Sequence, residues 1–510
     1  MKKKKILIVN CYLDELRIPI RRKSKVPQSM APAFLAGAFS PDLCEVKLYN
    51  EQFSGPLESE AFLSWPDMLV LTGLNTAFDR MLHLTAYART KNRSVIIVAG
   101  GPAIRALFHY SKEFFDFSCL GDIEQIADII EESFGKDYVS KDYLEKGWLM
   151  PRYDLANWMG IIGYVESSRN CYCSCNFCSL TAENAKYRQY DQEYLRRQFE
   201  ACGKRRLVYF LDNNFSGTSR QFLIDRIALV REFWRKKYFF GWGASLSNEF
   251  FINEENLIEL RDSGCVILFS GIETFDKESL VNFNKFQNTR MPQVDIIRKC
   301  LNAGISFYYG LVFDVSSRPI SDLREELEFI IDTPEITLPS FVSLAVPMLG
   351  TPFFYENVKQ NKILPNIKIR DLDSTTLTLK PIDPMPDVIK FIREVQNLIG
   401  YRKKVIRQAK KFFHIYKNIL SFWPMAFAMY NVSLLCTPKL STATTDVGGF
   451  FVNGLRKRSR TYVGSTEPLD TVYKPAFPVN SRYEHYFKPT MLTDHEGNLL
   501  EALHADLLKK

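Results

Sequence analysis

The chain has 510 residues, of which 46% are apolar and 24% charged, with a formal charge of +8; this is the composition of a soluble globular protein with more than one core. So small a charge gives no reason to expect nucleic-acid binding, and the short basic clusters at 2–5, 21–23 and 456–458 read as solvated surface. The first lysines run into an apolar stretch at 6–9 that is too short for a signal core or a membrane span, and eleven cysteines without a secretory leader argue against a disulfide framework, so a cytoplasmic protein is expected.

In chain order, residues 6–10 form an apolar run bounded by charge, the pattern of a buried parallel strand. A short helix of small and apolar residues follows at 32–39, then strands at 45–49 and 68–73, a helix over about 77–90, and a strand at 95–99 that ends in Gly100-Gly101. Strands alternating with helices predict a doubly wound, Rossmann-like parallel sheet over residues 1–140, with ligands at the carboxyl ends of its strands. The loops at 10–14, 72–76, 100–103 and 121–124 are therefore the candidate edge, with Thr72, Gly73, Gly100, Gly101, Gly121 and Glu124 on it. Glycines there let backbone approach a bulky nucleotide tail, and each taken singly is more often a turn than a ligand.

A linker at 141–160 contains Pro151-Arg-Tyr-Asp-Leu155, and the alternation resumes over 161–365. Apolar runs at 164–167, 208–211, 240–247, 266–269, 305–313 and 341–346, with helices such as 221–236 and 256–263, predict a partial (β/α)6 barrel whose site again lies at the carboxyl ends. Directly after the first run, Cys171, Cys175 and Cys178 stand in a C-x3-C-x2-C spacing. Three soft thiolates hold three irons of a cubane cluster and leave the fourth open to an outside ligand. Zinc is the competing reading, but it favours two spaced pairs or added histidines, and no histidine follows within the next hundred residues. Cys173 falls outside the spacing, as a packed thiol, a bystander or a spare ligand.

Taken together, these segments resemble the radical S-adenosylmethionine (SAM) enzymes that carry a cobalamin-binding domain in front. The matching pieces are the cysteine motif with Phe177, the helix at 32–39, Thr72-Gly73, Gly100-Gly101, Cys119-Leu-Gly-Asp-Ile-Glu124, the 151–155 segment, Gly271-Ile-Glu-Thr274, and Lys285 with Asn288, spread over roughly residues 6–360. The resemblance implies a 4Fe-4S cluster on Cys171, Cys175 and Cys178, SAM at its open iron near Phe177, Asp212, Asn213, Ser245, Glu273 and Leu311, and cobalamin against the front-domain loops. It also implies cleavage of SAM to a 5′-deoxyadenosyl radical that takes hydrogen from an unactivated carbon, followed by methyl transfer through cobalamin. The expected activity is thus C-methylation of a small molecule of the hopanoid or tetrapyrrole kind, with reduction by a flavodoxin- or ferredoxin-type donor. Glu273 has an alternative role as a carboxylate capping a helix at 276–280.

Two other readings stay open: an oxidative cyclase or rearrangement enzyme that uses both cofactors without methylation, and a radical SAM enzyme whose front domain is a cobalamin-free docking module. The second is motivated by residues 10–16, where the D-x-H-x-x-G loop of histidine-ligated cobalamin proteins is absent. A glycine usual near the end of the fifth barrel strand is also replaced, around Phe313.

Residues 366–510 form a helical and irregular region, with helices at 381–393 and 402–413 and a long apolar run at 412–430 preceded by Arg402, Lys403, Lys404, Arg407, Lys410 and Lys411. Packing over the barrel mouth is the first reading of this run and peripheral membrane contact the second; His414, Lys417 and Pro424 oppose a span. The tail at 462–503 is expected to cover the substrate opening, and the protein is expected to be a monomer.

Overall fold

The near-continuous apolar runs become strands of two all-parallel sheets, because a sheet covered on both faces buries both sides of every strand. The computed structural model describes residues 3–12, 29–374, 376–396, 398–436, 473 and 475–508. The basic clusters at 21–23 and 456–458, the first loop beyond residue 12 and the tail at 462–472 lie outside the described residues.

In the first sheet, β1 (Lys4–Asn10), β2 (Cys44–Asn50), β3 (Met68–Thr72), β4 (Ile96–Gly100) and β5 (Phe117–Ser118) take the order β2-β1-β3-β4-β5. Alternate side chains leave opposite faces: Leu7, Val9, Leu69 and Leu71 cluster with the helix Phe78–Lys91, and Ile6, Ile8, Met68 and Val70 cluster with the helices Ala31–Ala36 and Ile126–Phe134. The chain leaves β1 toward β2 on one side while β3 lies on the other, so the strand order reverses there and opens a crevice outside the carboxyl ends of β1 and β3. Residues 141–160 are packed rather than extended, with Trp148, Tyr153 and Trp158 buried between the two sheets' helices and strands.

The second sheet runs β6 (Ile162–Val165), β9 (Leu207–Phe210), β10 (Gly241–Ser245), β11 (Cys265–Glu273), β12 (Ser306–Phe313) and β13 (Phe341–Leu344), all parallel and in spatial order, a partial (β/α)6 barrel. Between β6 and β9, a short antiparallel pair, β7 (Ser168–Arg169) and β8 (Arg188–Gln189), brackets the cysteine stretch. Two polar residues a side give no periodic signal, so the sequence pattern does not disclose it. β11 runs four residues past the end of its apolar pattern, because pairing with β12 continues through Gly271 opposite Gly310 and, after a bulge, Glu273 opposite Leu311.

The helices Arg402–Tyr416 and Phe422–Cys436 lie along the amino-terminal ends of β12 and β13, not over the carboxyl-end mouth as expected. Their polar side chains satisfy the carbonyls of the turn before β13: Gln408 Nε2 donates to Ile336 O (2.8 Å), Tyr416 Oη to Glu335 O (2.7 Å) and Asn431 Nδ2 to Leu338 O (2.8 Å). The described part of the tail braces the front domain. Tyr473 Oη donates to the buried Asp79 (2.6 Å), Ala476 N to Tyr87 Oη (2.8 Å), and the His83 ring stacks on Phe487 at 4.6 Å. Among the described residues no helix is long and apolar enough to cross a membrane.

Gly101 has φ +120°, and a Cβ there would stand 2.3 Å from the carbonyl oxygen of Gly73. Gly135 has φ +103° with nothing within 4 Å of the same position. Gly101→Ala is expected to cost about 3 kcal/mol or more, strain plus a backbone clash, and Gly135→Ala only the strain, about 1–2 kcal/mol. Urea unfolding followed by circular dichroism separates the two, and equal losses would contradict the close approach of the β3 and β4 ends.

Candidate active site

The cysteine stretch is held from two sides. Asn170, at φ +66°, turns the chain out of β7, and its Nδ2 donates to Lys186 O at 3.0 Å. From the other side, the loop after β11 grips the cysteines: Asn284 Nδ2 donates to Ser174 O (2.7 Å), Asn176 Nδ2 to Asn282 O (2.7 Å), and the Phe177 ring packs edge-on against Phe283 at 5.0 Å. Cys171, Cys173, Cys175 and Cys178 are free thiols. Cys173 N donates to Cys171 Sγ (3.4 Å) and Gln287 Nε2 to Cys175 Sγ (3.3 Å). Hydrogen bonding from Cys173 draws the Cys171 thiol down to about 6, whereas burial pushes those of Cys175 and Cys178 up.

Burial alone would lower the Lys285 ammonium, but Glu273 and the Cys175 thiol hold it above its ordinary value. It is ion-paired with Glu273 and lies 5.7 Å from the Phe177 ring centre, a buried cation beside three potential thiolates. Among the described residues no three His, Cys, Asp or Glu side chains converge on one ion, as tetrahedral zinc requires. Cys171, Cys175 and Cys178 would hold an iron–sulfur cluster, for which soft thiolates are the usual ligands.

The other expected SAM contacts divide into two groups. Ser245 Oγ meets Tyr209 Oη at 3.0 Å across β9 and β10, and Glu273 sits at φ +63° on the β11 bulge with Lys285. Glu273 does not cap the following helix: Asp276 does, accepting from Ser279 N at 2.7 Å at the start of Lys277–Asn282. Asn288 Nδ2 donates to Gly271 O (2.7 Å), while its buried Oδ1 has no protein partner. Asp212 is already engaged: it accepts from Ser167 N (2.9 Å), Ser167 Oγ (2.6 Å) and Ser168 Oγ (2.6 Å), with buried Arg226 at 3.5 Å. Its job is to fix the junction of β6 and β7. Asn213 is exposed beside it, and the Leu311 side chain is fully buried in the apolar core with Tyr309 and Phe313.

On the front sheet, a Cβ at Gly101 would strike the Gly73 carbonyl and one at Gly73 would crowd Ala77 and the Cys11 carbonyl, and Gly121 N donates to Gln125 Oε1 at 2.7 Å. Gly100 is less crowded, since a Cβ there would only touch Cys119 at 3.6 Å. Thr72 is half-buried, Leu74 and Leu120 stand 70% and 46% exposed, and the buried Asn75 Oδ1 has no protein partner. Exposed apolar side chains, a thin glycine edge and an open amide acceptor fit a large ring system that carries amide groups, so the residues present suit a corrin. At the end of β2, and not singled out by sequence, Glu51 accepts from Nε and Nη2 of the buried Arg80 and from Tyr12 N (2.9 Å).

Glu124 faces the barrel. Both its oxygens accept from Arg169 Nη1 at 2.8 Å, and Arg188 Nη1 adds a contact at 3.2 Å. The same Arg169 donates through Nε and Nη2 to Glu166 at 2.6 Å each. Around this bridge, Arg105 pairs with Glu183 of the helix Ser179–Glu183, and Asn75 Nδ2 reaches Met348 Sδ at 3.5 Å. The front-sheet edge therefore abuts both the cysteine stretch and the loop after β13. Glu166, Arg169, Gln287 and Arg226 were not singled out by sequence, and they carried no signal there beyond their residue type.

No family model matches the chain. It is 25% identical over 313 residues to the hopanoid C-2 methylase of Rhodopseudomonas palustris, covering 58% of this chain and 57% of that one. It is also 25% identical over 347 residues to the bacteriochlorophyllide d C-8(2)-methyltransferase of Chlorobaculum tepidum, covering 62% and 74%. The chain thus spans less than two thirds of the hopanoid relative's length. Its fold matches the cobalamin-dependent SAM radical enzyme OxsB with a TM-score of 0.58 at 15% identity, over 85% of this chain and 72% of that one. It matches the radical SAM methyltransferase TsrM from Kitasatospora setae with a TM-score of 0.53 at 14% identity, over 76% and 81%. The chain is thus similar in sequence to hopanoid and bacteriochlorophyllide methyltransferases and similar in fold to OxsB and TsrM.

Proposed function

We propose that the protein is a cobalamin-dependent radical SAM C-methyltransferase acting on a bulky, largely apolar small molecule, of the class that the hopanoid and bacteriochlorophyllide relatives name. The observation that carries this reading is the placement of the cysteine stretch against the carboxyl edge of the front sheet, joined through Glu124, Arg169 and Glu166. Bound at these two sites, the cluster with SAM and the cobalamin supply one-electron hydrogen removal from an unactivated carbon and a transferable methyl group.

The chain's part is positioning. Cys171, Cys175 and Cys178 are the cluster ligands, with Gln287 donating to Cys175 and Lys285 offsetting negative charge beside them. Ser245, Glu273 and Asn288 present polar groups on the barrel side for SAM, while Asp212 acts indirectly by fixing Ser167 and Ser168. Thr72, Gly100, Leu74 and Leu120 form the front edge for cobalamin. A reaction between two bound groups and a third molecule depends on their relative placement, which the Arg169 bridge sets. Electrons come from a flavodoxin- or ferredoxin-type donor.

Anaerobic purification with iron and cobalamin supplied is expected to give a protein containing both iron and cobalt. On reduction it forms 5′-deoxyadenosine from SAM, and Cys175→Ala reduces this to background while cobalt is retained. Absence of cobalt from the wild type would sink the cobalamin reading. With methyl-deuterated SAM and substrate, label enters the product; unlabelled product would instead indicate a cyclase or rearrangement reaction. A separate prediction concerns the bridge: Arg169→Met leaves the buried Glu166 uncompensated and Glu124 ion-paired with Arg188 alone, and is expected to cost about 3–5 kcal/mol in urea unfolding. Arg152→Met, which loses only an exposed pair with Asp154, is expected to cost less than about 1 kcal/mol.

A further inference from the structure

Between residues 399 and 436 the chain carries seven Lys and Arg and no Asp or Glu, against a net charge of +8 for all 510 residues. The helix Arg402–Tyr416 buries Val405, Gln408, Ala409, Phe412 and Tyr416 against the barrel, which leaves the opposite face outward. Along that face Arg402, Ile406, Lys410, Phe413 and Lys417 follow one another at spacings of four, four, three and four residues, the repeat that aligns side chains in one stripe of a helix. All five are exposed, and the next turn adds exposed Ile419, Phe422 and Trp423, with Phe422 74% exposed. Lys404 pairs with Glu328, but among the described residues Arg402, Lys403, Arg407, Lys410, Lys411 and Lys417 have no ion-pair partner.

We infer that this face docks on an anionic lipid surface. Charge complementarity selects the occupant: unpaired cations alternate with large apolar side chains, so cations reach lipid phosphates while Ile406, Phe413, Phe422 and Trp423 enter the boundary with the acyl chains. A nucleic acid would use the cations but would leave the aliphatic side chains in water, and a second copy of the chain would set like charges against each other. Because the helices lie at the amino-terminal ends of β12 and β13, docking leaves the cysteine stretch at the opposite ends of the barrel strands uncovered. The inference is independent of the proposed chemistry.

Sedimentation of the full chain with sucrose-loaded vesicles tests it. Vesicles of phosphatidylcholine with about one third phosphatidylglycerol are expected to carry the protein down in 0.1 M salt, and pure phosphatidylcholine vesicles to carry at least about tenfold less. The double variant Lys410→Glu with Lys411→Glu is expected to lose at least about tenfold in partitioning. Phe422→Ser is expected to weaken it with an unchanged unfolding midpoint, which separates docking from folding. Wild-type binding that is absent, equal on both vesicles, or unchanged in both variants would overturn the inference. So would tighter binding to a short DNA duplex than to anionic vesicles, or a concentration-dependent dimer abolished by Phe422→Ser.

Discussion

Arg169 sits between two carboxylates that belong to different halves of the molecule. Its guanidinium gives two hydrogen bonds to Glu166 on its own strand junction and shares a third nitrogen between both oxygens of Glu124 across the interface. All three side chains are largely removed from water. Burying such a group is costly unless its geometry and hydrogen bonds are complete, so the two sheets dock in one arrangement. Burial pushes the Glu166 carboxyl up even with Arg169 against it. One residue beyond Arg169 the chain turns at Asn170 and enters the cysteine stretch. Whatever fixes Arg169 also fixes where the cysteines begin.

A second buried charge pair works one layer deeper. Asp212 at the end of β9 collects Ser167 and Ser168, and Arg226 neutralises it while donating to Ser167 Oγ at 2.9 Å. Burial raises the Asp212 carboxyl and draws the Arg226 guanidinium down to about 10, and both groups are engaged with protein partners. The polar groups at the strand ends of the two sheets thus fall into those engaged within the protein, such as Asp212 and Glu124, and those that retain open valences, such as Asn288 and Asn75.

The parallel sheets were legible in the sequence because buried strands announce themselves as apolar runs, as at 6–10 and 305–313, and the cysteine spacing is local by nature. What escaped was non-local or too short to have a period. The β7 and β8 pair has two residues a side, and Gln287 meets Cys175 across 112 positions of sequence. The glycines illustrate a different limit: a Cβ at Gly101 would strike the Gly73 carbonyl and one at Gly73 would crowd Ala77 and the Cys11 carbonyl, contacts that no local pattern reports. The helices after residue 400 were visible as helices, while their docking face was decided by carbonyls of the turn before β13, which no periodicity reports.

The proposed function requires one rigid junction to hold a cluster site and a cobalamin site close together. Low-temperature electron paramagnetic resonance of the anaerobically loaded, reduced full chain tests it most directly, since a reduced cluster and cob(II)alamin are both paramagnetic. Magnetic coupling between the two signals is predicted in the wild type, with its loss in Arg169→Met at unchanged iron and cobalt content. Two uncoupled signals in the wild type would contradict the account.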